Sequence, residues 1–319
     1  MQQITQLKEK IYHGQTVTKE EALALYKAPL APLTAAADEI RRRFCGNRFD
    51  LCAIVNAKSG RCGEDCKFCA QSSRYPTEIV AYPLLSQREI ISAANAEEQA
   101  GVKHFAVVTS GKSLPAREIK KVCRSIEALK KETSLVLCAS LGLLSDAQFK
   151  QLKAAGITRI HNNLETSRRF FPQICTSHSY DDKIKTISAA RRNGLEVCSG
   201  GIFGLGETVE DRVELALTLR ELEVKSVPLN ILEPIPGTPL ETVTLLSEEE
   251  VRRMVAVFRF LLPAALLRLA GGRGNLKDKG RACFSGGANA AITGDMLTTK
   301  GISAATDFEM LKELGYEVS

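Results

Sequence analysis

The feature that most constrains the fold of this chain is a regular alternation of short apolar segments with amphipathic ones. Segments 50–57, 103–110 and 134–142 are apolar with polar flanks, which predicts buried strands. Ser86 and Glu89 form a capping-box pattern where the first helical periodicity begins. Such alternation indicates an α/β fold with a parallel sheet. The further predicted strands are 157–165, 195–204, 225–232, 265–272 and 287–294, and the predicted helices are 86–101, 114–132, 145–156, 179–194, 208–222 and 247–262.

The number of predicted strands and the chain length of 319 residues favour a closed (β/α)8 TIM-type barrel over an open doubly wound sheet. An open sheet normally carries a phosphate-binding glycine loop after its first strand. Here segment 50–57 runs instead into a cluster of cysteines. We predict that residues 1–45 form an N-terminal helical extension, and that residues 46–319 form the barrel with its C-terminal segment.

The charge pattern and hydropathy argue against several classes of partner. Lysine and arginine number 43 against 37 acidic residues, and the net charge of +6 is scattered rather than gathered in a stripe, which argues against nucleic-acid binding. No apolar run approaches the ~18 residues of a membrane span, and the polar segment 1–14 is unlike a signal peptide. We therefore expect a cytoplasmic protein that binds neither nucleic acid nor membrane. In that reducing compartment, ten cysteines are expected to bind metal or carry chemistry.

Three cysteines follow the first predicted strand with the spacing C-x-x-x-C-x-x-C. Cys62, Cys66 and Cys69 would lie at the carboxyl end of that strand, where barrel enzymes carry their active sites. Iron–sulfur clusters take cysteine thiolates, and a four-iron cluster with three protein ligands leaves one iron open. A structural zinc ion needs four ligands, so the upstream Cys45 and Cys52 keep a zinc-stabilised binding module as an alternative. The spacing therefore indicates a metal centre.

The three-cysteine segment resembles the signature of the radical S-adenosylmethionine (SAM) superfamily, with Phe68 at its aromatic position. Other segments are similar, in the same order, to those of the biotin synthase family. The resemblance implies a [4Fe-4S] cluster on Cys62, Cys66 and Cys69, with SAM bound at the open iron. The similar segments are CGEDCKFCAQSSRY (62–75), HNNLETS (161–167), VCSGGIFGLGET (197–208), SVPLNILEPIPGTPL (226–240), LRLAGGR (267–273) and CFSGGANA (283–290).

This resemblance implies a specific reaction, the radical insertion of sulfur into dethiobiotin to give biotin. In it, SAM would yield a 5′-deoxyadenosyl radical that removes hydrogen from dethiobiotin, and an auxiliary iron–sulfur cluster would supply the sulfur. The resemblance also implies a homodimer and an electron donor such as flavodoxin or ferredoxin. Another radical SAM barrel enzyme, of the hydrogenase-maturation or methylornithine-forming type, stays open as an alternative.

Polar residues in two predicted strands are candidates for cofactor and substrate binding. His161, Asn163 and Glu165 are two apart and should share one face of the fourth strand. A satisfied structural network is one interpretation; the resemblance implies that Asn163 and Glu165 bind the SAM ribose, and that Asn163 also approaches the substrate. The amide of Asn230 suits the ureido ring of dethiobiotin, with a strand-end turn as the alternative. The other cofactor-binding residues implied by the resemblance are Phe68, Lys183, Gly200, Ile202 and Gly204.

The expected auxiliary cluster departs from the usual pattern of the family. Cys138 and Cys198 correspond to two of its family ligands, and Arg268 corresponds to an arginine ligand. Ala106 stands where the family carries a further cysteine, and alanine cannot ligate iron. Cys52, in the first predicted strand, is the candidate replacement. The combination looks like the variant of obligate anaerobes, and we expect a four-iron cluster with an extra sulfide rather than a [2Fe-2S] cluster.

Four cysteines lie outside these two sets. Cys45 is an alternative or fourth ligand of the auxiliary cluster. Cys175 is expected in an exposed loop, Cys123 on a helix and Cys283 just before the last strand. These three are interpreted as structural or unassigned, because a free cysteine is often a small buried apolar residue.

Overall fold

The computed structural model, which describes residues 2–318, contains a closed barrel of parallel strands. The strands follow one another around the barrel in chain order. The ninth strand closes the barrel by pairing with the first, with Ala290 opposite Asp50. The predicted (β/α)8 barrel is confirmed. The strands are β1 (Arg48–Lys58), β2 (His104–Thr109), β3 (Val136–Ser140), β4 (Arg159–His161), β5 (Glu196–Cys198), β6 (Gly201–Phe203), β7 (Ser226–Ile231), β8 (Leu266–Leu269) and β9 (Ala290–Thr293).

Helices pack around the outside of the barrel and connect its strands. The predicted capping box is present, because Ser86 Oγ accepts from Glu89 N at 3.3 Å and the Glu89 carboxylate accepts from Ser86 N at 2.7 Å. Ser145, Ser179 and Thr208 form the same box at three later helices, so the caps set where these helices begin. The helices are α1 (Gln2–Tyr12), α2 (Lys19–Tyr26), α3 (Leu30–Cys45), α4 (Gln87–Gln99), α5 (Ala116–Glu132), α6 (Asp146–Ala155), α7 (Phe171–Ile174), α8 (Tyr180–Arg192), α9 (Val209–Glu221), α10 (Glu248–Leu261), α11 (Arg281–Phe284) and α12 (Ala304–Glu313).

The two ends of the chain pack against the barrel. Helix α3 lies against α10, and α2 contacts both α9 and α10. A short strand, β10 (Glu317–Val318), extends the sheet beside Arg48 and Phe49 at the start of β1. The division into an extension (1–45) and a barrel (46–319) stays a prediction. Across residues 2–318, every helix is too short or too polar to cross a lipid bilayer.

The structure differs from the predicted strands on one side of the barrel. The fourth predicted strand ends at His161, and the fifth is divided into β5 and β6 by Ser199 and Gly200. Proline has no N–H to donate to a sheet, so Pro228 in the neighbouring β7 interrupts the ladder. A Cβ on Gly200 would lie only 1.9 Å from Pro228 O, so glycine is required where the two chains approach this closely.

Small side chains occupy the middle of the barrel. Cys52, Ala106 and Cys138 are buried together, on three neighbouring strands. The register places Ala106 directly beside Cys138. Because these side chains are short, they leave space above them toward the carboxyl ends of the strands.

Candidate active site

A cavity of about 410 Å³ opens at the carboxyl ends of the barrel strands. Its walls come from the strands themselves and from the segments that follow β1, β2, β3, β4, β7, β8 and β9. Small-molecule ligands occupy cavities of this size, and barrel enzymes carry their active sites at this end of the strands. The cavity is therefore the candidate active site.

The loop after β1 brings Cys62, Cys66 and Cys69 to the cavity wall. Backbone hydrogen bonds hold the loop: Cys62 N donates to Gln71 O at 3.0 Å, and Ser73 N donates to Cys62 O at 2.7 Å. Cys69 N donates to Cys66 O at 3.0 Å. All three thiols are free of disulfides, so they remain available as metal ligands.

The spacing of these thiols bears on the choice between zinc and an iron–sulfur cluster. A tetrahedral zinc ion, with bonds of about 2.3 Å, holds its thiolates about 3.8 Å apart. Within the described residues, the one group of three candidate ligand atoms that lie within 4.8 Å of one another is Cys66, Cys175 and His178. The set of Cys62, Cys66 and Cys69 is more widely spaced, which suits a cluster whose ligands bond different irons.

Cys175 is not in an exposed loop, and that prediction is wrong. The residue is only 3% exposed, because the segment after α7 folds over the cysteine loop. The Cys66 thiol donates to Cys175 Sγ at 3.7 Å, and His178 Nδ1 lies 3.3 Å from the same sulfur. The hydrogen bond from Cys66 lowers the pKa of Cys175, with His178 and Ser177 adding to the effect, and raises that of Cys66. The C-x-x-H spacing of residues 175–178 is the sequence signal that could have drawn attention to this pair.

The segment that leaves β4 carries His161, Asn163 and Glu165 along the cavity wall. Their predicted shared face is confirmed, although the strand itself ends at His161. Burial lowers the pKa of His161 to about 4, so its imidazole is neutral at physiological pH. Asn163 Oδ1 accepts from Gly200 N at 3.0 Å, and the Asn163 side chain also hydrogen-bonds the neighbouring Glu165 carboxyl group.

Glu165 does not fit the interpretation that the polar residues after β4 form a fully hydrogen-bonded structural network. Its Oε2 is buried without a hydrogen-bond partner, and its backbone φ is +71°, a strained conformation for a residue that is not glycine. Burial raises the pKa of its carboxyl group. An orphaned acceptor in the wall of a cavity is suited to receive the hydroxyl groups of a ligand.

The remaining predicted cofactor-binding residues divide into two groups. Phe68, Lys183 and Ile202 line the cavity. Gly200 and Gly204 are absent from its lining and act through the backbone. Gly200 N holds the Asn163 side chain, as described above, and Gly204 N donates to the Glu207 carboxylate at 3.0 Å. Their direct contact with a cofactor stays a prediction.

Asn230 lies in β7 and lines the cavity. Its Nδ2 donates to Gly201 O and its Oδ1 accepts from Gly271 N, both at 3.0 Å. The side chain is thereby fixed between two neighbouring segments. One amide N–H and one carbonyl lone pair remain uncommitted and are available to a polar ligand.

Cys52, Cys138 and Cys198 all line the cavity at its deepest part, which we call the cavity floor. Burial raises the pKa of Cys52 to about 12 and also raises that of Cys138, so both are neutral thiols without a metal. Cys198 Sγ lies 3.1 Å from Ser226 Oγ. Ala106 also lines the floor. It lies on β2, between β1 and β3, directly beside Cys138, and its methyl group offers no metal ligand.

Charged groups surround the cavity floor. Arg268 Nη2 donates to Asp50 Oδ1 at 2.6 Å, and Arg159 Nη1 lies 3.4 Å from Asp50 Oδ2. Burial alone would lower the pKa of Arg268, but the carboxylate of Asp50 together with the sulfurs of Cys52 and Cys198 outweighs burial, and the pKa is raised. Arg159 Nε also donates to Glu196 Oε2 at 3.2 Å, so two guanidinium groups meet two carboxylates, of which only Asp50 is buried beside the floor.

The structure places the two further predicted auxiliary ligands, Arg268 and Cys45, differently, and their ligation stays a prediction. The Arg268 guanidinium lines the cavity and donates hydrogen bonds to Asp50 and to backbone carbonyls. Cys45 ends α3 outside the cavity lining, and its Sγ accepts from Arg259 Nη1 at 3.5 Å. Cys123 and Cys283 are buried on α5 and α11, away from the cavity lining.

Comparison with known proteins supplies the remaining observation. A family model described as Radical SAM superfamily matches residues 57–219, and one described as Biotin and Thiamin Synthesis associated domain matches residues 228–317. A biotin synthase of Brachyspira hyodysenteriae is 53% identical over 99% of this chain and 95% of its own length. The chain belongs to the biotin synthase family. A biotin synthase of Clostridium botulinum is 52% identical over 100% of both chains, and biotin synthase 2 of Corynebacterium diphtheriae is 51% identical over 99% of this chain and 96% of its own length.

Two solved structures share the fold of this biotin synthase family member. Methylornithine synthase superimposes with a TM-score of 0.86 at 20% identity, covering 98% of this chain and 97% of its own. HydG, a maturase of the [FeFe]-hydrogenase, gives a TM-score of 0.86 at 20% identity over 100% of this chain and 75% of its own. At this identity the likeness concerns the fold alone.

The radical SAM superfamily implies a [4Fe-4S] cluster and SAM, and the residues present fit both. Cys62, Cys66 and Cys69 supply three free thiols on one wall. Lys183 offers a positive charge to a carboxylate, and Glu165 Oε2 offers a buried, unpaired acceptor to a ribose.

Proposed function

We propose that this chain converts dethiobiotin to biotin by radical insertion of sulfur between C9 and C6. The observation that carries the proposal is one cavity with two sets of three cysteines. Cys62, Cys66 and Cys69 stand in its upper wall, and the cysteines of the cavity floor lie below. A substrate between these sets would have its carbons within reach of a radical source on one side and a sulfur source on the other.

When bound, the [4Fe-4S] cluster and SAM supply a 5′-deoxyadenosyl radical, and an auxiliary cluster supplies sulfur. The chain itself orients these groups. Glu165 accepts hydrogen bonds from the SAM ribose through its unpaired Oε2. Asn163, held by Gly200 N, donates an amide N–H to the same ribose. Lys183 pairs with the SAM carboxylate as a single charge, without the two-point contact that arginine provides.

Asn230 and Asn163 position dethiobiotin. The ureido ring has one carbonyl acceptor and two N–H donors, and amide side chains match both kinds of group. Asn230 is held by Gly201 O and Gly271 N, so its remaining donor has a fixed direction before the substrate arrives. This preorganisation lowers the entropic cost of binding and fixes which carbon faces the radical source.

Cys52, Cys138 and Cys198 hold the auxiliary cluster in this proposal. Cys52 takes the place of the cysteine that Ala106 cannot provide. The nearby guanidinium charges of Arg268 and Arg159 favour the thiolate forms of Cys52 and Cys138. A four-iron cluster with an extra sulfide is favoured over a [2Fe-2S] cluster, because three thiolates then leave one iron for the transferable sulfur.

The partners of the reaction remain at the level of prediction. A small reduced electron-transfer protein, such as flavodoxin or ferredoxin, supplies electrons to the cluster, and two chains form a homodimer. The expected cytoplasmic location likewise stays a prediction.

Anaerobic turnover with SAM, reductant and dethiobiotin tests the proposal. Mass spectrometry should detect biotin together with 5′-deoxyadenosine, and omission of dethiobiotin should remove only the biotin. Formation of 5′-deoxyadenosine without biotin at any substrate concentration would contradict the substrate assignment. That outcome would favour a different radical SAM reaction.

A further inference from the structure

The thiols of Cys66 and Cys175 lie at the separation of two ligands on one metal ion. Their Sγ atoms are 3.7 Å apart, and a tetrahedral ion with metal–sulfur bonds of about 2.3 Å holds two thiolates about 3.8 Å apart. His178 Nδ1 and Nε2 lie 3.3 and 3.8 Å from Cys175 Sγ, and Nε2 is the nitrogen that Glu64 leaves for a metal ion. Bonds of about 2.3 Å to sulfur and about 2.1 Å to nitrogen place such atoms about 3.6 Å apart. The three side chains therefore need little movement to share one ion.

The surroundings of His178 are those of a metal-ligating histidine. Its Nδ1 lies 2.5 Å from Glu64 Oε2, and Ser177 Oγ donates to the same carboxylate oxygen at 2.8 Å. A carboxylate on Nδ1 fixes the tautomer in which Nε2 presents its lone pair to a metal. The side chain of His178 is only 5% exposed, so its ring has little freedom to turn away.

Asp65 contributes negative charge beside the site. Its Oδ1 lies 3.3 Å from Cys175 Sγ and also accepts from Thr176 N and Ser177 N, both at 2.9 Å. These backbone hydrogen bonds hold the carboxylate in place next to the sulfur. The negative charge favours a cation at the site, and the oxygen is close enough to complete its coordination.

We propose that, in the chain without its cluster, Cys66, Cys175 and His178 bind one divalent metal ion that prefers thiolate and imidazole ligands, with Zn²⁺ the best match. Two sulfurs and one nitrogen form the donor set that such an ion selects. The site stands on its own geometry and goes beyond the proposed reaction.

This site excludes the [4Fe-4S] cluster, because both require Cys66. An ion on Cys66 and Cys175 removes one of the three thiolates that the cluster needs. Zn²⁺ therefore holds the cluster loop closed and opposes cluster assembly until iron and sulfide displace it. The exclusion of the cluster rests on the proposed cluster ligands, whereas the metal site itself does not.

Titration of the anaerobic, cluster-free full chain with Co²⁺ tests the site directly. Cobalt reports thiolate ligation by sulfur-to-metal charge-transfer bands, and Zn²⁺ should then abolish the signal by displacement. We expect one Co²⁺ per chain in the wild type and in the matched controls Cys69→Ala and Cys123→Ala. Cys175→Ala and His178→Ala should weaken binding by about 100-fold or more.

Two outcomes of the titration would overturn the site: no stoichiometric binding in the wild type, or loss of binding in Cys69→Ala with retention in Cys175→Ala. The second result would assign the ion to Cys62, Cys66 and Cys69. X-ray absorption of the wild-type Zn²⁺ form, with two sulfurs and at least one imidazole expected, keeps the test decisive if a variant fails to fold. Four sulfurs and no imidazole would contradict it.

Cluster reconstitution tests the competition. Preloading with Zn²⁺ should slow the appearance of iron–sulfur absorbance in the wild type and in Cys123→Ala, but not in His178→Ala. Equal slowing in all three proteins would overturn the exclusion. These readouts do not involve dethiobiotin, so failure of the proposed reaction leaves them unaffected.

Discussion

The guanidinium of Arg268 donates a hydrogen bond of 2.6 Å to the carboxylate of Asp50 beside the cavity floor. Both residues are buried, so neither charge can turn to water if the other is removed. We expect Asp50→Asn to lower the free energy of unfolding near neutral pH by about 3–5 kcal/mol, because it leaves a buried arginine without its partner. Denaturant unfolding of the cluster-free protein measures this effect, with the exposed Glu132→Gln as a control outside this network.

The same ion pair predicts a pH dependence. Burial opposes ionisation of Asp50, but Arg268, His104 and Arg159 together outweigh burial and lower the folded-state pKa below the ordinary value of 3.8. The stabilisation is therefore present above about pH 4 and is lost as the pH falls through the lower folded-state value. The difference between wild type and Asp50→Asn should shrink over that acidic range. A difference that is constant from pH 7 to pH 3 would contradict the ion pair.

Cys52 is expected to be a ligand of the auxiliary cluster. We predict that Cys52→Ala retains the iron of the SAM-binding cluster and loses the iron of the auxiliary cluster. The lost iron is roughly half of the total iron if both clusters contain four irons. Iron and sulfide counts on anaerobically reconstituted protein check this, with Cys123→Ala as the matched control. Biotin formation should cease while SAM cleavage continues. A Cys52→Ala protein with its full auxiliary cluster would remove Cys52 from the ligand set.

Glu165 is expected to control SAM affinity. Gln keeps the size of the side chain but replaces the charged acceptor, so Glu165→Gln should weaken SAM binding by about 10-fold or more. The dissociation constant of SAM, measured by equilibrium binding, gives the result, and an unchanged melting temperature excludes unfolding as the cause. If Glu165→Gln binds SAM as tightly as the wild type, the unpaired Oε2 serves another purpose.

Asn230 is expected to act on the substrate rather than on SAM. Asn230→Ala removes the amide fixed between Gly201 and Gly271, so it should raise the KM for dethiobiotin about 10-fold or more with little change in SAM affinity. The ratio of 5′-deoxyadenosine to biotin should also rise, because a poorly positioned substrate leaves the radical unproductive. An equal loss of SAM and dethiobiotin binding would instead indicate a structural role in β7.

The barrel could be predicted from sequence because its information is local. Apolar segments, helical periodicity and caps such as Ser86 with Glu89 occur within a few residues of one another, and each predicts one element. The site was partly accessible for the same reason, since Cys62, Cys66 and Cys69 lie within one loop and His161, Asn163 and Glu165 within one strand end.

Tertiary contacts between distant segments could not be predicted in this way. Cys66 and Cys175 are far apart in the chain and meet only because the segment after α7 folds over the cysteine loop. The engagement of Arg268 by Asp50 and the separation of Cys45 from the cavity floor likewise depend on packing between segments. The pattern of residues within one segment does not predict a contact with a segment far away in the chain.

Isotopic labelling of the auxiliary cluster tests the central claim most directly. The protein is reconstituted with labelled sulfide and freed of excess sulfide. It is then given SAM, reductant and dethiobiotin in a single anaerobic turnover. The account predicts that the biotin formed carries the sulfur label, and that Cys52→Ala, reconstituted in the same way, forms no labelled biotin. Biotin that forms without the label, or no biotin from protein with both clusters loaded, would contradict it.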